Sequence, residues 1–482
     1  MRIAFTLILF MGLAAIENTA AFPSDDFAAI DSFIRAQMQK NNIPGLALAI
    51  THNQTVLHLQ GFGTGAANRK VTPQTPFFIG SLSKSFTALA IMQLSEKGKI
   101  NIDASVQTYL PWFEVADKNA SARITVRHLL NQTSGLAGGL KEDLPRDADM
   151  EKAVRALRNL QPTNTPGAKF QYFNLNFSIL GLIVEKVSGQ SYEDYVRANI
   201  LEPLKMERTF FSKAAAQEAG LAQGYSMMMG FAVPGEQQYY KYLLPAAFLF
   251  STAEDLAHYL IAQGNGGSYG NALVLSAQGT AEMHRPLKDI GSPYAMGWYV
   301  TERKGHRLIH HPGDLGFFHT EAVMTPDLGY GIVMLINQNN NPPMYRAMAD
   351  GIISLLTGGK HESEKTGMTY RRQSFLTLAF LLIFQAVCYG WSLKRLSRKK
   401  IRDKSPARTF LSISPHFILA AILAFAIPAL LSEWLNKEAT WNFIFEFMPV
   451  LAGWLTVSIF LTLLKAFIKI RILVRNRNQF DA

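Results

Sequence analysis

The sequence predicts a mixed α/β exported domain followed by an all-α membrane bundle, the exported part being an antiparallel sheet flanked by helices with a helical lobe inserted. Three observations predict it. Strand-like, β-branched runs cluster at both ends of the first 358 residues, helical periodicity fills the middle, and three apolar segments near membrane-spanning length close the chain.

Gly45 to Thr51 and Thr55 to Gly61, separated by His52-Asn53-Gln54, read as a hairpin. The apolar run from Phe86 to Leu94 reads as a helix that ends near Gly98. From about Ala104 to Glu282 helical spacing dominates, with Leu175, Ile179, Leu182, Ile183 and Val187 on one face. Strand patterns return at Met296 to Thr301, Arg307 to His310, His319 to Met324 and Gly331 to Ile336, the last two joined by the turn Pro326-Asp327-Leu328-Gly329. A helix from Met344 to Leu356 ends at Gly358. The polar stretch 359–373 reads as a linker.

Arg2, the apolar stretch Ile3 to Ile16 and the small residues Thr19 and Ala21 predict a secretory signal over residues 1–21. The segments Phe375 to Trp391, Phe417 to Leu431 and Phe447 to Leu464 are each near spanning length. Lys394, Arg395, Arg398, Lys399, Lys400, Arg402, Lys404 and Arg408 follow the first. Lys465, Lys469, Arg471, Arg475 and Arg477 follow the third. The positive-inside rule places both clusters in the cytoplasm, which agrees with an exported N-terminal domain and three spans. Set against the acids Asp403 and Asp481, these two segments carry +11, the whole formal net charge, so the exported part is near neutral and nucleic-acid binding is excluded as the reason for the basic balance. Cys388 is the single cysteine, which rules out a disulfide framework and a cysteine-based metal site. The domain 22–358 is long enough to build a core without either.

Ser81-Leu82-Ser83-Lys84 stands at the head of the apolar helix, just after Gly80. Positions i and i+3 share a helix face, so the Lys84 amine reaches the Ser81 hydroxyl and supplies the base a serine nucleophile needs. The helix N-terminus adds backbone N–H groups suited to an oxyanion, and Gly80 leaves room for substrate. Ser81 as a simple helix cap with an exposed lysine is the alternative. A second match, Ser397-Arg398-Lys399-Lys400, lies in a basic run without an apolar helix behind it and reads as a solvated loop.

Tyr172-Phe173-Asn174 follows the turn Pro166-Gly167 and opens the Leu175 helix, and His311-Pro312-Gly313 precedes the C-terminal hairpin. Read alone, Tyr172 fits a half-buried phenol and Asn174 a helix cap. In order, Ser81-x-x-Lys84, Tyr172-x-Asn174 and His311-x-Gly313 resemble the class C β-lactamase and penicillin-binding-protein-like serine hydrolases. Gln132-Thr133-Ser134-Gly135-Leu136, Pro245-Ala246-Ala247 and Ser251 to Asp255 are similar to stretches of that family. The resemblance implies a β-lactamase/transpeptidase-like fold, Ser81 as the acylated nucleophile, Lys84 and Tyr172 sharing the proton work, and Asn174, His311 and Gly313 binding substrate. It also implies an oxyanion hole from the backbone N–H groups of Ser81 and Asp314, with no cofactor and no metal. Which of Lys84 and Tyr172 is the base stays open. Tyr269-Gly270-Asn271 and Lys365-Thr366-Gly367 match the second and third motifs by chance, the first in a glycine-rich turn and the other in the linker.

His311 stands where penicillin-handling relatives have lysine. A mostly neutral imidazole there holds a substrate carboxylate poorly, which directs the expectation to peptidases and esterases of the family acting on peptide, amide or ester substrates. The three spans resemble those of membrane-anchored prodrug-activating peptidases, but Phe78 and Leu243 stand where those enzymes carry an acid and a histidine. The expected location is the bacterial inner membrane, multi-pass, with the catalytic domain facing the periplasm or exterior and the bilayer as partner. A DD-peptidase or β-lactamase, a β-lactam sensor and a transport-associated docking module are the alternatives.

Overall fold

The computed structural model describes residues 26–138, 144–228, 231–303, 305–359, 370–398, 406–435, 441, 444 and 449–478. The signal expected at 1–21 and the Lys365-Thr366-Gly367 match lie outside them.

Six strands form the sheet: β1 Gly45–His52, β2 Thr55–Gly63, β3 Tyr299–Arg303, β4 His306–Leu315, β5 Phe318–Thr325 and β6 Tyr330–Ile336. Their order is β2-β1-β6-β5-β4-β3, antiparallel throughout, so the hairpins from the two ends of the domain meet where β1 pairs with β6, Ala47 opposite Leu335 and Ala49 opposite Val333. The two chain ends do share one sheet, as the sequence predicts.

Alternation assigns the faces. Leu46, Leu48 and Ile50 of β1, with Ile332, Met334 and Ile336 of β6, bury the back face against helices α1 (Asp26–Asn41) and, at the C-terminal end of the domain, Pro342–Leu356. Ala47 and Ala49 point to the front, and their small side chains let the helix Ala253–Gly264 lie close on the sheet. In chain order the remaining principal helices of the domain are α2 Ser83–Glu96, α3 Leu175–Ser188, α4 Ala253–Gly264 and α5 Pro342–Leu356. Every residue of α2 from Ser83 to Leu94 is buried, because α3, the turn Leu244–Ala247 and the short helix Ala277–Met283 pack around it and Phe86 stacks on Tyr259 of α4. A helix apolar all round is what such a central place requires.

Two differences from the sequence expectation bear on the site. Strand β3 starts at Tyr299, not Met296, and β4 runs on through His311-Pro312-Gly313 to Leu315 instead of stopping at His310. Proline in a strand predicts a break, yet β3 pairs with β4 only from His306 to His310, so Pro312 lies where β4 has a free edge. A missing N–H costs nothing there.

At the C-terminal end, helices α6 (Tyr370–Arg398), α7 (Pro406–Ala421, continued through Ile422–Ala426 to Ile427–Leu435) and α8 (Pro449–Asn478) follow. Helix α6 begins inside the stretch read as a linker. It also carries Ser397 and Arg398 of the second Ser-x-x-Lys match, which the sequence reads as loop. Two segments are long and apolar enough to cross a membrane, Ile413–Leu431 and Leu451–Arg471, whereas the apolar part of α6, Leu376–Trp391, is shorter. Among the described residues, two of the three expected spans thus meet the length and composition of a membrane crossing.

Candidate active site

Gly80 adopts φ +53 and starts a single 3-10 turn, Gly80–Leu82, before the α-helical hydrogen bonding of α2 begins. Ser81 is thus presented half-buried at the helix mouth, and it caps nothing. Lys84, with none of its surface exposed, extends along the helix so that its Nζ lies 3.0 Å from Ser81 Oγ. The same nitrogen donates to Asn174 Oδ1 at 2.8 Å and to the Ala246 carbonyl at 2.7 Å. Two fixed acceptors and the serine occupy three directions about the amine. A neutral Lys84 with its hydrogens on Asn174 and Ala246 points its lone pair at Ser81, and an ammonium in the same place donates to all three.

The other motifs explain why these acceptors stay put. Asn174 heads α3 in helical conformation and makes no cap hydrogen bond; its side chain serves Lys84 instead. The preceding segment is held by Gln132, itself at φ +57, whose Oε1 accepts from Phe173 N at 3.0 Å and Asn176 Nδ2 at 2.6 Å, while its carbonyl accepts from Gln171 N. Ser134 Oγ meets Asn176 Oδ1 at 2.8 Å. Pro245-Ala246-Ala247 is likewise pinned, since Thr87 Oγ1 donates to the Pro245 carbonyl at 2.7 Å.

Tyr172 places its ring 4.7 Å from Lys84 Nζ. Burial, seconded by Tyr299, raises its phenol well above the ordinary range, against an opposing hydrogen bond with Ser81. At neutral pH it is a proton donor. His311 faces it across 6.4 Å between ring centroids. The imidazole is 1% exposed; its Nδ1 donates to the Pro312 carbonyl at 2.7 Å, which leaves Nε2 to accept from Tyr294 O–H at 3.3 Å. Burial and the neighbouring Lys84 push its pKa down to about 3, so it is neutral at pH 7.

Gly80 and Gly313 meet back to back. A Cβ on Gly80 would stand 2.9 Å from Asp314 N, and one on Gly313 would stand 2.0 Å from the Ile79 carbonyl oxygen. The sequence reads Gly80 as room for substrate, and the family resemblance gives Gly313 a substrate-binding role. Instead they are space for each other's backbone. Their contact brings the Asp314 N–H beside the Ser81 turn. Because the β4–β5 hairpin closes on Leu315 and Phe318 with a two-residue loop, ladder alternation turns the Asp314 N–H away from β5, toward the free edge. The Ser81 N–H lies in the first turn, where helix amides have no intrahelical partner. Both N–H groups therefore lie near the Gly80–Gly313 contact, beside Ser81.

All the sequence-predicted residues, Ser81, Lys84, Tyr172, Asn174, His311, Gly313 and Asp314, thus fall in one place. Tyr269-Gly270-Asn271 forms a separate turn with Gly270 at φ +54. Sequence reasoning missed the Ala246 carbonyl, the Gln132 clamp and the aromatic wall of Tyr294 and Tyr299. Backbone acceptors leave no trace in residue identity, although Pro245-Ala246-Ala247 was visible as a motif.

Comparison with known proteins follows the same lines. Protein flp of Staphylococcus aureus (strain MRSA252) is 29% identical over 465 residues, covering 92% of this chain and 89% of that protein, so the similarity reaches into the C-terminal helices. The unguisins hydrolase ungD' of Aspergillus campestris is 27% identical over 335 residues, 65% of this chain and 61% of that one. The octameric penicillin-binding protein homologue from Pyrococcus abyssi superposes with a TM-score of 0.62 at 30% identity, over 70% of this chain and 79% of that chain. FmtA from Staphylococcus aureus shares the fold, with a TM-score of 0.58 at 24% identity over 69% and 87% of the two chains. Residues 30–357 match the Beta-lactamase family. By that match and by its fold, the chain belongs to the Beta-lactamase family of serine hydrolases.

Proposed function

We propose that the chain is a membrane-anchored hydrolase that forms an acyl-enzyme on Ser81 and acts on peptide, amide or ester substrates outside the bacterial inner membrane. Residues 1–21 are its export signal, 22–358 the hydrolase domain, 359–373 the link to the membrane, and 374–482 a three-span anchor with α6 as the first, shorter span. One observation carries the reading: Lys84 Nζ sits 3.0 Å from Ser81 Oγ with its other two directions tied to Asn174 and Ala246.

As Ser81 Oγ attacks the substrate carbonyl, its proton passes to Lys84. The carbonyl oxygen takes the negative charge between the Ser81 and Asp314 N–H groups. On collapse the leaving amine or alkoxide takes a proton from the Tyr172 phenol, which Lys84 replaces. Water then attacks the ester in the reverse sense and frees Ser81. The raised pKa of Tyr172 supports Lys84 as the first proton acceptor. The neutral His311 supports substrates that present no carboxylate at this place, hence amides and esters before penicillins.

The test is intact-mass analysis of the detergent-solubilised chain and Ser81→Ala after exposure to a fluorophosphonate, p-nitrophenyl esters, D-aminoacyl amides and a fluorescent penicillin. A covalent adduct on the wild type alone is expected with the ester-like probes. Stable labelling by the penicillin selects a DD-peptidase or β-lactamase instead. No adduct with any probe refutes the proposal.

A further inference from the structure

The face of β4 behind the oxyanion donors holds a polar chain that the catalytic scheme does not use. Asp314 turns its side chain to the back of the sheet, where Oδ1 accepts from His319 Nδ1 at 2.8 Å and from Asn339 Nδ2 at 3.0 Å. Asn339 Nδ2 also lies 2.9 Å from the Leu315 carbonyl. His319, fully buried at its side chain, bonds through Nε2 to Glu321 Oε2 at 3.2 Å. Its ring stacks on Tyr345 of α5 at 4.5 Å between centroids, and Arg346 of the same helix approaches Glu321 at 3.9 Å.

His319 and Glu321 are buried in this sheet face, where a charge is costly unless it is matched, whereas the Asp314 side chain keeps 39% of its surface exposed. The place of this arrangement suggests why it exists. Asp314 supplies a backbone N–H to the developing oxyanion, so its own carboxylate is a negative charge within one residue of the negative charge the reaction creates. Unmatched, it raises the barrier.

We propose that His319 is a positioning residue that pins the Asp314 carboxylate from behind and cancels its charge, so that the Asp314 N–H is aimed at the oxyanion without a bare anion beside it. Burial alone would strip the proton from this imidazole, but the Asp314 and Glu321 carboxylates outweigh burial and raise its pKa to about 9. The Asp314 carboxyl is correspondingly held below its usual range, desolvation being overcome by His319 and Asn339. The inference rests on the Ser81 reading above.

The test compares wild type, His319→Gln, and the double variant Asp314→Asn/His319→Gln as full chains in detergent, with p-nitrophenyl acetate as the probe. His319→Gln strands the carboxylate, so kcat should fall at least ten-fold with KM within three-fold. The double variant removes the stranded charge and should recover at least five-fold in kcat over His319→Gln. A purely structural role predicts the opposite, a double variant no better than the single one, and that result overturns the inference. So does a His319→Gln enzyme with wild-type kcat. If His319→Gln does not fold, Asn339→Leu, which removes a neutral donor from the same oxygen, carries the test: kcat falls at held KM, or the inference fails. Wild-type chain that never turns over the ester overturns the Ser81 reading together with this one, whereas active wild type with unaffected variants overturns this one alone.

Discussion

Replacing Gly313 by alanine tests the oxyanion geometry at its tightest point. The added methyl would lie 2.0 Å from the Ile79 carbonyl oxygen, 2.9 Å from the Ile79 carbonyl carbon and 3.1 Å from Thr320 Cβ. The first two are backbone atoms of the turn that presents Ser81, with no flexible side-chain end to swing aside. To restore a tolerable contact the strand and the turn must part by about 1 Å, and misplacement of that size costs about 10²-fold in rate. Loss of one oxyanion donor costs about 10² to 10³-fold, so kcat for an ester should fall by about that range while KM stays within about three-fold. Overpacking should also cost about 1–3 kcal/mol of stability, read from urea unfolding. Gly264→Ala is the control, because it ends the helix Ala253–Gly264 and the added methyl meets only Met324 Sδ, at 3.9 Å. A folded Gly313→Ala enzyme with wild-type kcat would mean that the Asp314 N–H takes no part in the reaction.

Three further outcomes follow from the same geometry. Lys84→Met should lower kcat by about 10² to 10⁴-fold, as expected for loss of a general base, and should destabilise the fold by leaving Asn174 Oδ1 and the Ala246 carbonyl without their donor; unchanged turnover would remove Lys84 from the proton path. His311→Lys replaces a neutral imidazole with a cation, so selectivity for carboxylate-bearing over neutral amide substrates should rise about ten-fold in kcat/KM, and no change would place the substrate elsewhere. His284, His310 and His311 are buried with pKa values near 3, set first by desolvation, so in acid the unfolded chain binds protons near 6.5 that the folded chain refuses. Stability should therefore fall as pH drops below 6.5, by about 1.4 kcal/mol per pH unit for each such histidine, while the His319 contribution, full below 6.5, is lost as pH rises through about 9. Urea midpoints from pH 4 to 10 that are flat across both limbs would contradict this.

What the sequence discloses and what it hides divide along a physical line. Hairpin turns and strand alternation depend on neighbours in the chain, so β1, β2, β5 and β6 are readable to within two residues at each end. The course of β4 through Pro312 is not readable, because it depends on β3 stopping at the level of His310, a tertiary fact. Ser81, Lys84, Tyr172 and His311 are legible as an ordered set of reactive types. The partners that make them work are mostly backbone: the Ala246 carbonyl, the Asp314 N–H and the Ile79 carbonyl. Gly80 could be seen to need space and Gly313 to belong to the third motif, but only the fold shows that each leaves room for the other's main chain. The membrane segment is the reverse case, where composition suggests three spans and helix length gives clear standing to two.

The electrostatics of the cleft bear on what it can accept. Tyr172 and Tyr294 are pushed well above the ordinary phenol range by burial, and Tyr299 to about 12 by the same cause. With His311 near 3, these four groups meet a substrate at pH 7 as neutral hydrogen-bonding rings. A phenolate at Tyr172 would need stabilisation that this setting withholds, since burial first and then Tyr299 oppose a negative charge there. On the proposed scheme the serine proton then goes to Lys84, an amine whose other two directions are taken by Asn174 and Ala246. A substrate carboxylate beside His311 would find a neutral ring and would surrender its hydration for little return. An amide or ester carbonyl asks only for N–H donors, and those of Ser81 and Asp314 are already aimed. The proposed chemistry and the proposed substrate class thus rest on one feature, a cleft whose rings are uncharged at neutral pH beside the Ser81–Lys84 pair.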